Sequence, residues 1–593
     1  MAAEKLKPLT SQQRAAVDHR GNLLLTACPG SGKTRTLIAK LVHELEEVRG
    51  TPRAICCITY TNTAVEEIEH RALEQLCPGD EQHVAVSTIH AFCLNEIIRP
   101  FGWLRPGFRA NRNVLTRDDP TFEQIARFAA EKVNFFDLKA KDFEAFESIS
   151  LNSAGELIGM ALQNEVVRRA APFYWERCND LGYVDFGTIV YEAYQLLRDH
   201  PMIGRALGAK YAWLLIDEFQ DTSELQIEIL SLLFAVGRSK FFIVGDLAQS
   251  IYGFAGARPE LVQPFAELIG ARTDMSLSGN YRSSPTIIAN AEALFPRDPA
   301  MTAEGKEKDS FIPPELVRDR STFAAVMERF LPMLAENNIP FGDATILCRE
   351  WVPLISLSRQ LRDAGIPVVG PGARPYKRSR LFANLAEQLC GAVVDPTPNT
   401  IRQLERALFL AVRDCTGVSR MELFGPDGRL AIVRLLKQAE VAAASRSAVR
   451  FLDEMSAATG EILRELEFLD GIQAGTFYPS AQEMKSDIVR QGVDLHNLAV
   501  DDLGLFASPQ KALKLSTVHA SKGREYKGVA LIDVTEGKYP HYYSRTPAAA
   551  LEDKRLLYVG LTRAQRVLMY ISAPDRFGNP PSRFLGVNGV GLV

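Results

Sequence analysis

Short apolar runs that end in polar residues alternate with stretches of helical period in the first half of the chain. Residues 22–27 form one such run, which leads into a glycine-rich segment and then into apolar residues at helical spacing up to Leu45. Further runs of this kind lie at 54–59, 84–87, 213–217 and 241–246. Apolar strands with ligand-type residues at their carboxyl ends are typical of an open parallel α/β sheet.

The same pattern returns in the second half of the chain. Strand-like runs occupy residues 344–348, 367–369, 514–518 and 528–532. Helical periodicity dominates two long stretches that interrupt the strands, 96–205 and 376–510. The pattern therefore predicts an α/β protein with two parallel-sheet cores, each with one helical insertion. The first core would comprise 1–95 and 206–279, and the second 280–375 and 511–593.

Composition agrees with a soluble globular protein of several domains, since 46% of the 593 residues are hydrophobic and 24% are charged. No run approaches the roughly 18 apolar residues of a membrane span, and the first residues, MAAEKLKPLT, have no apolar segment of the secretory type. These features predict no membrane partner. The nine cysteines form no CxxC pair, so we expect a cytoplasmic protein without a structural zinc or an iron–sulfur site. The net charge of −4 argues against a uniformly basic surface but leaves a local nucleic-acid groove open.

A phosphate-binding loop is the most specific local signal. Gly30-Ser31-Gly32-Lys33-Thr34 lies between a predicted strand and a predicted helix. Glycines let backbone N–H groups approach phosphate, Lys33 would reach the β- and γ-phosphates, and the Thr34 hydroxyl would hold Mg²⁺. The loop departs from the full pattern at one position, where Ala27 replaces the first glycine.

A second signal is the acidic pair Asp217-Glu218 at the end of an apolar strand. In a nucleotide site, Asp217 would hold Mg²⁺ and Glu218 would activate the attacking water. An Asp-Glu pair alone is also common at solvated strand ends. The sequence Phe219-Gln220-Asp221-Thr222, which follows it, makes the catalytic interpretation more specific.

The order of these and further motifs resembles the superfamily 1 DNA helicases of the UvrD/Rep/PcrA type. The resemblance covers essentially the whole chain. Its remaining motifs begin at Leu9 (LTSQQRAAV), Thr59 (TYTNTA), Ser87 (STIHAF), Val244 (VGDLAQSIYGF), Asn280 (NYRSS), Leu515 (LSTVHASKGREY) and Arg555 (RLLYVGLTRA). The resemblance implies two RecA-like P-loop cores, an ATP and Mg²⁺ requirement, and hydrolysis of ATP coupled to movement on DNA.

The resemblance also implies roles in the nucleotide site. Gln13 would read the adenine edge, Arg35 and Tyr281 would sandwich the base, and Glu525 would hold the ribose. Gln249 would orient water or sense the γ-phosphate. Arg282 and Arg563 are expected to lie on the second core and to act as arginine fingers when the cores close.

For the nucleic-acid strand, the resemblance implies aromatic residues that stack on bases and polar residues that contact the backbone. The stacking candidates are Tyr60, Phe92, Tyr252 and Phe254, and the polar candidates are Thr61, His90, Arg349, Thr517 and His519. At Phe254 the family usually has tryptophan, and at Ala255 it often has arginine, so the expected platform is smaller here. The stretch Tyr183-Val184-Asp185-Phe186 resembles an aromatic-acid stretch of the family, or else begins a packed helix.

Three interpretations of function follow. The first is an ATP-dependent translocase or helicase on single-stranded or partly duplex DNA, with 3′–5′ polarity by family analogy. The second is an ATPase that senses DNA ends or single strands and activates a partner nuclease, as a compact anti-phage helicase subunit of the Gabija type would. A P-loop kinase or GTPase, the third interpretation, would leave the second set of motifs unused.

The basic cluster Arg374, Lys377, Arg378 and Arg380 is either a duplex-phosphate contact or a solvated helix face.

Overall fold

The chain folds into two units, each built around its own parallel sheet. The computed structural model describes residues 8–77, 79–105, 112–117, 119–416, 420–507, 509–573, 578–586 and 591–592. The first unit comprises Met1–Phe311 and Ser544–Thr562, and the second comprises Ile312–Tyr543 and Arg563–Val593. Within the described part of the chain, no helix combines the length and the apolar character needed to cross a bilayer.

The first unit contains a six-stranded parallel sheet in the order β3-β2-β6-β7-β1-β8. Its central strands are buried on both faces, which explains why they read as continuous apolar runs. Two short pairs, β4 with β5 and β9 with β10, lie outside this sheet. The strands are β1 Leu23–Ala27, β2 Ala54–Thr59, β3 Val84–Thr88, β4 Asn113–Val114, β5 Tyr183–Val184, β6 Tyr211–Ile216, β7 Lys240–Gly245, β8 Ser276–Leu277, β9 Gly279–Asn280 and β10 Thr302–Ala303.

Helices cover this sheet and form a separate helical part around residues 120–181. That part has its own core, which includes Phe122, Phe146 and Tyr174. The helices are α1 Ser11–Asp18, α2 Lys33–Val48, α3 Asn62–Leu73, α4 Ile89–Phe92, α5 Arg99–Phe101, α6 Pro120–Glu131, α7 Ala140–Glu147, α8 Gly159–Gln163, α9 Glu165–Leu181, α10 Phe186–Asp199, α11 Pro201–Lys210, α12 Glu224–Val236, α13 Val262–Leu268, α14 Pro285–Leu294 and, from late in the chain, α25 Pro547–Leu561.

The second unit contains a seven-stranded parallel sheet in the order β13-β14-β12-β15-β16-β11-β17. The strands are β11 Glu315–Val317, β12 Ala344–Cys348, β13 Val368–Val369, β14 Leu513–Thr517, β15 Tyr526–Leu531, β16 Ala564–Ile571 and β17 Gly591–Leu592. The helices are α15 Thr322–Ala325, α16 Leu331–Glu336, α17 Trp351–Asp363, α18 Ala383–Val394, α19 Pro398–Thr416, α20 Pro426–Ala443, α21 Ala448–Glu465, α22 Gly471–Ala474, α23 Phe477–Arg490 and α24 Val500–Gly504. Helices α18 to α24 enclose a core of their own around Leu389, Phe451 and Met484.

The predicted α/β class with two parallel sheets is confirmed. The boundary between the two units differs from the predicted start of the second core at residue 280. Residues 280–311 lie in the first unit, because the Tyr281 N–H donates to the Gly30 carbonyl at 2.8 Å and β9 pairs with β10. Helix α25 also belongs to the first unit, although β15 and β16 on either side of it lie in the second.

Two arginines of the predicted basic cluster are held in ion pairs within the second unit. The Arg374 guanidinium donates to both carboxylate oxygens of Glu387, at 2.5 and 2.9 Å. The Arg380 guanidinium donates to both oxygens of Asp487, at 3.0 and 3.1 Å. These pairs attach the segment before α18 to α18 and α23, so both arginines are engaged within the protein.

Candidate functional site

The glycine-rich loop between β1 and α2 has the backbone geometry of an anion cradle. Gly30 and Gly32 adopt φ values of +69° and +80°, and Gly32 immediately precedes α2, whose first residue is Lys33. A Cβ atom added at Gly30 would lie 2.6 Å from the Cβ of Arg282, so a side chain there would clash. Left-handed turns at a helix N-terminus direct backbone N–H groups and the positive end of the helix dipole toward an anion.

Lys33 forms the central ion pair of the site. Its Nζ lies 3.2 Å from the nearer carboxylate oxygen of Glu218. Burial disfavours the charged ammonium, but the surrounding carboxylates, led by that of Glu218, outweigh burial and raise the pKa of Lys33. Burial, reinforced by the charge of Glu218, also raises the pKa of Asp217. A bound divalent cation would favour the ionised form of Asp217.

Glu218 is held in a strained conformation at the end of β6. Its φ of +51° lies in the left-handed region, which non-glycine residues rarely adopt without compensating contacts. Its N–H donates to Asp217 Oδ1 at 3.0 Å, and the side-chain amide of Gln220 donates to its carboxylate. These contacts hold the carboxylate beside Lys33, where the sequence predicted a base for the attacking water.

Gln220 and Asp246 connect the acidic pair to Gln249. Gln220 Oε1 accepts the backbone N–H of Asp246 at 2.9 Å, and Asp246 Oδ2 accepts Nε2 of Gln249 at 2.7 Å. All three side chains are buried. Both residues lie within recognised motifs, but the sequence alone predicts no role for Gln220 or Asp246. The position of Asp246 directly after an apolar strand, like that of Asp217, was the signal that pointed to it.

Gln13 and Ser31 are joined at the phosphate loop. Gln13 Nε2 donates to the Ser31 carbonyl at 3.0 Å, and Gln13 Oε1 accepts the Thr10 N–H at 3.2 Å in the cap of α1. A Cβ atom at Gly32 would lie 2.9 Å from Gln13 Nε2. The predicted adenine reader therefore contacts the loop that is predicted to bind phosphate.

Tyr281 and Arg35 lie close to each other in the first unit. Tyr281 is 43% exposed, and burial of its phenol together with the charge of Glu304 raises its pKa, which the charge of Arg35 opposes. Arg35 lies in the first turn of α2, and Thr34 beside it is half-buried. These positions are compatible with the predicted adenine sandwich and the predicted Mg²⁺ ligand.

Arg282 differs from its prediction, since it lies in the first unit and not on the second core. Asn280 Oδ1 accepts the N–H groups of Arg282 and Ser283, both at 2.8 Å, and fixes this turn against Gly30. The Arg282 guanidinium donates to the Thr562 carbonyl at 3.1 Å, just after α25. Arg282 and the phosphate loop that it contacts at Gly30 therefore both belong to the first unit.

Aromatic side chains form a second cluster in the first unit. The rings of Tyr60 and Tyr252 stack with centroids 5.1 Å apart and planes 21° apart, and Phe254 lies 6.0 Å beyond Tyr252. The rings of His90 and Phe186 pack edge to face, with centroids 5.4 Å apart. All of these rings except that of Tyr252 line one cavity between the sheet and the helical part. Phe186, for which the sequence predicts no DNA contact, thus lies beside the predicted DNA contacts.

The exposure of these side chains separates surface candidates from core residues. Phe254 is 53% exposed and Phe186 is 45% exposed, so both present ring surface. Burial lowers the pKa of His90 to about 4, so the imidazole is neutral at physiological pH. Thr61 Oγ1 caps α3 by accepting the Ala64 N–H at 3.2 Å.

Phe92 was predicted as a stacking residue, and the structure corrects this. Its ring is only 1% exposed and packs in the hydrophobic core, with Tyr211 at 6.2 Å. Helix α4 turns the side chain toward the sheet, so no face of the ring is open to a base.

The predicted DNA contacts of the second unit, Arg349, Thr517 and His519, lie at the carboxyl ends of β12 and β14 or in the turns that follow. Cys348 pairs with Thr517 in the sheet, so Arg349, which follows Cys348, is next to Thr517. Thr517 Oγ1 accepts the Ala520 N–H at 3.3 Å in the turn that starts at His519. Arg349 donates to the Lys538 carbonyl at 3.3 Å. These predicted strand contacts therefore share one edge of the sheet.

Glu525 directly precedes β15, and Arg563 directly precedes β16. Glu525 is exposed, whereas Arg563 is only 2% exposed. The Arg563 guanidinium donates to the Arg524 carbonyl at 3.3 Å, and its own carbonyl accepts the Tyr526 N–H at 2.9 Å. Arg563 is therefore a buried cation at the amino end of β16.

Comparison with known proteins identifies the family. Residues 9–269 match the UvrD/REP helicase N-terminal domain, and residues 482–575 match the UvrD-like helicase C-terminal domain. DNA helicase II of Escherichia coli K12 is 25% identical over 636 residues, which cover 98% of this chain and 87% of the relative. ATP-dependent DNA helicase UvrD1 of Mycobacterium tuberculosis H37Rv is 26% identical, with 98% and 85% covered. ATP-dependent DNA helicase PcrA of Staphylococcus aureus NCTC 8325 is 24% identical, with 97% and 85% covered. Both family domains occur in this chain, the N-terminal one first, and the chain therefore belongs to the UvrD/Rep family of ATP-dependent DNA helicases.

Proposed function

We propose that this protein uses ATP hydrolysis to move along single-stranded DNA, with 3′–5′ polarity by family analogy, and to unwind duplex in its path. One observation carries the proposal. Residues 246–254 join the nucleotide site to the aromatic cluster, because Gln249 contacts Asp246 at one end and Tyr252 stacks on Tyr60 at the other. A shift of this short segment on hydrolysis would move the aromatic rings directly.

The nucleotide half of the proposal assigns one task to each group. Lys33 and the loop amides bind the phosphates, Glu218 accepts the proton of the attacking water, and Gln249 orients that water. The Thr34 hydroxyl and the Asp217 carboxylate are hard oxygen ligands of the kind that Mg²⁺ prefers, so the residues present fit the ion. When bound, Mg²⁺ neutralises charge on the phosphates. Arg282 and Arg563 stabilise the charge that develops on the γ-phosphate.

The DNA half assigns stacking to Tyr60, Tyr252 and Phe254. Each base–aromatic contact of this kind contributes about 1–3 kcal/mol and is indifferent to sequence. Thr61, His90, Arg349, Thr517 and His519 contact the strand by hydrogen bonds. The neutral imidazole of His90 suits contact with a base or sugar better than with a phosphate.

The steady-state rate of ATP hydrolysis tests the proposal. We expect single-stranded DNA to stimulate turnover by the purified protein, and Lys33→Ala to abolish it because the loop loses its only side-chain cation aimed at phosphate in the proposed scheme. Turnover in Lys33→Ala equal to that of the parent would contradict the proposed site. Movement is then measured by displacement of a labelled strand from substrates with a 3′ or a 5′ tail.

Replacement of Tyr252 by alanine tests the stacking platform. We expect single-stranded DNA to bind about 5- to 150-fold more weakly, as the loss of about 1–3 kcal/mol of stacking implies. Fluorescence anisotropy of a labelled oligothymidine measures the change. Phe136→Ala is the matched control, because Phe136 is 74% exposed and lies outside the cluster. Equal DNA affinity of the parent and Tyr252→Ala would remove Tyr252 from the proposed path.

The alternative prediction is that this protein is a DNA-sensing ATPase subunit, which activates a partner nuclease. It shares the ATP and DNA sites and differs in output. Strand displacement by the isolated chain favours the helicase, whereas DNA-stimulated ATP hydrolysis without displacement favours the sensor. Reconstitution with a nuclease encoded beside it, with DNA cleavage as the readout, would test the anti-phage role directly.

A further inference from the structure

Arg297 reaches the nucleotide site from a segment that carries none of the recognised motifs. It lies three residues after the end of α14, and its side chain is 14% exposed. Its Nη2 donates to Asp246 Oδ1 and to the Tyr558 hydroxyl, the latter at 3.0 Å. The partner Asp246 is 1% exposed, so this is a buried ion pair.

Asp246 transmits this contact to two of the predicted catalytic groups of the first unit, Gln249 and Glu218. Its other carboxylate oxygen accepts Nε2 of Gln249 at 2.7 Å. Its N–H donates to Gln220, whose amide in turn donates to the carboxylate of Glu218. Along this chain of hydrogen bonds, only Asp246 stands between Arg297 and Gln249. Asp246 and Gln220 stand between Arg297 and Glu218.

The Tyr558 contact extends the chain to α25. Tyr558 is fully buried, and its ring packs edge-on against Phe295 with centroids 5.2 Å apart. Helix α25 ends at Leu561, and the carbonyl of the next residue, Thr562, accepts the Arg282 guanidinium at 3.1 Å. The Arg297 guanidinium therefore connects the turn that ends at Gln249 with helix α25. Thr562, whose carbonyl binds Arg282, and Arg563 follow directly after this helix.

We propose that Arg297 is a positioning residue for ATP hydrolysis, which holds Asp246 and Tyr558 together so that Gln249 and Glu218 keep their places when the nucleotide reacts. The inference rests on the proposed ATP-driven function. Loss of Arg297 would leave the buried Asp246 carboxylate without its cation and free to draw the Gln249 amide away from the reacting groups. Lysine would restore the charge, but its flexible stem would not fix the nitrogen in the position from which Nη2 of Arg297 donates to both Asp246 and Tyr558.

The test compares Arg297→Gln, Arg297→Lys and the control Arg272→Gln by DNA-stimulated ATP hydrolysis. Arg272 is a suitable control because it pairs with Asp274 on the surface of the same unit. For Arg297→Gln we expect kcat to fall about 10- to 100-fold, the usual range for groups that orient reactive side chains. The KM for ATP should change less than about threefold, because the phosphate loop and the adenine contacts are untouched. Arg297→Lys should recover part of kcat, and Arg272→Gln should match the parent.

A second variant separates positioning from folding. Tyr558→Phe removes only the hydroxyl, so we expect thermal unfolding close to that of the parent and a fall in kcat of about fivefold, as for one hydrogen bond. The inference is overturned if folded Arg297→Gln or Tyr558→Phe keeps the parental kcat, or if the loss appears in KM alone. ATP turnover by the parent protein is measured before any variant is compared. Absence of that turnover would overturn the proposed function and this inference with it.

Discussion

Arg563→Ala is expected to lower kcat for DNA-stimulated ATP hydrolysis by about 10³-fold or more, the range measured for arginine fingers. The reason is that the guanidinium stabilises charge that develops only in the transition state, so ATP binding should change little. Arg563 is buried and held by the Arg524 carbonyl, which limits the positions that the guanidinium can take. Steady-state kinetics measure kcat, and a fluorescent ATP analogue measures binding.

Arg583→Ala is the matched control for this experiment. Arg583 lies in the same unit and forms an ion pair with Glu536 on the surface, where its side chain is 70% exposed. We expect parental kcat from this variant, since exposed ion pairs contribute at most about 1 kcal/mol to stability. A loss of ATP affinity in Arg563→Ala with kcat preserved would assign Arg563 to ground-state binding and contradict the arginine-finger role.

Glu218→Gln is expected to lower kcat by about 10²- to 10⁴-fold, the contribution of a general base, while ATP still binds. Glutamine keeps the size of the side chain but cannot accept the proton of the attacking water. The variant should therefore form a long-lived complex with ATP. This ATP-bound protein should still bind DNA. Single-turnover hydrolysis of labelled ATP measures the chemical step apart from product release.

Glu228→Gln is the control for Glu218→Gln, because Glu228 is an exposed carboxylate in the middle of α12. Parental hydrolysis by Glu218→Gln would move the base to another residue, with Asp217 the first candidate. Loss of ATP binding in Glu218→Gln would instead assign the carboxylate mainly to holding Lys33, with which it forms the central ion pair.

The strands and the phosphate loop were predictable because their signals are local. The run at 54–59 coincides with β2, and the run at 213–217 overlaps β6, since residues buried on both faces of a parallel sheet are apolar throughout. Gly30 and Gly32 marked positive φ, which few other residues adopt. The order of motifs along the chain identified the family, and the family domains confirm it.

The side-chain environments depended on contacts that no local pattern contains. Phe92 is apolar in either setting, and only the packing of α4 against the sheet decides that its ring is buried. Arg282 belongs to the first unit because its turn docks on Gly30, more than 250 residues earlier in the sequence.

By itself the sequence determined the α/β class, the phosphate loop, the acidic pair and the family, because each is encoded by residues that are neighbours along the chain. Only the tertiary structure decided which charges meet. Asp246, Arg297 and Tyr558 come from three distant segments, and hydrogen bonds join them in one buried chain. The periodicity of a sequence indicates which residues are buried. It does not indicate which partner stabilises a buried charge, because the fold brings that partner from a distant part of the chain.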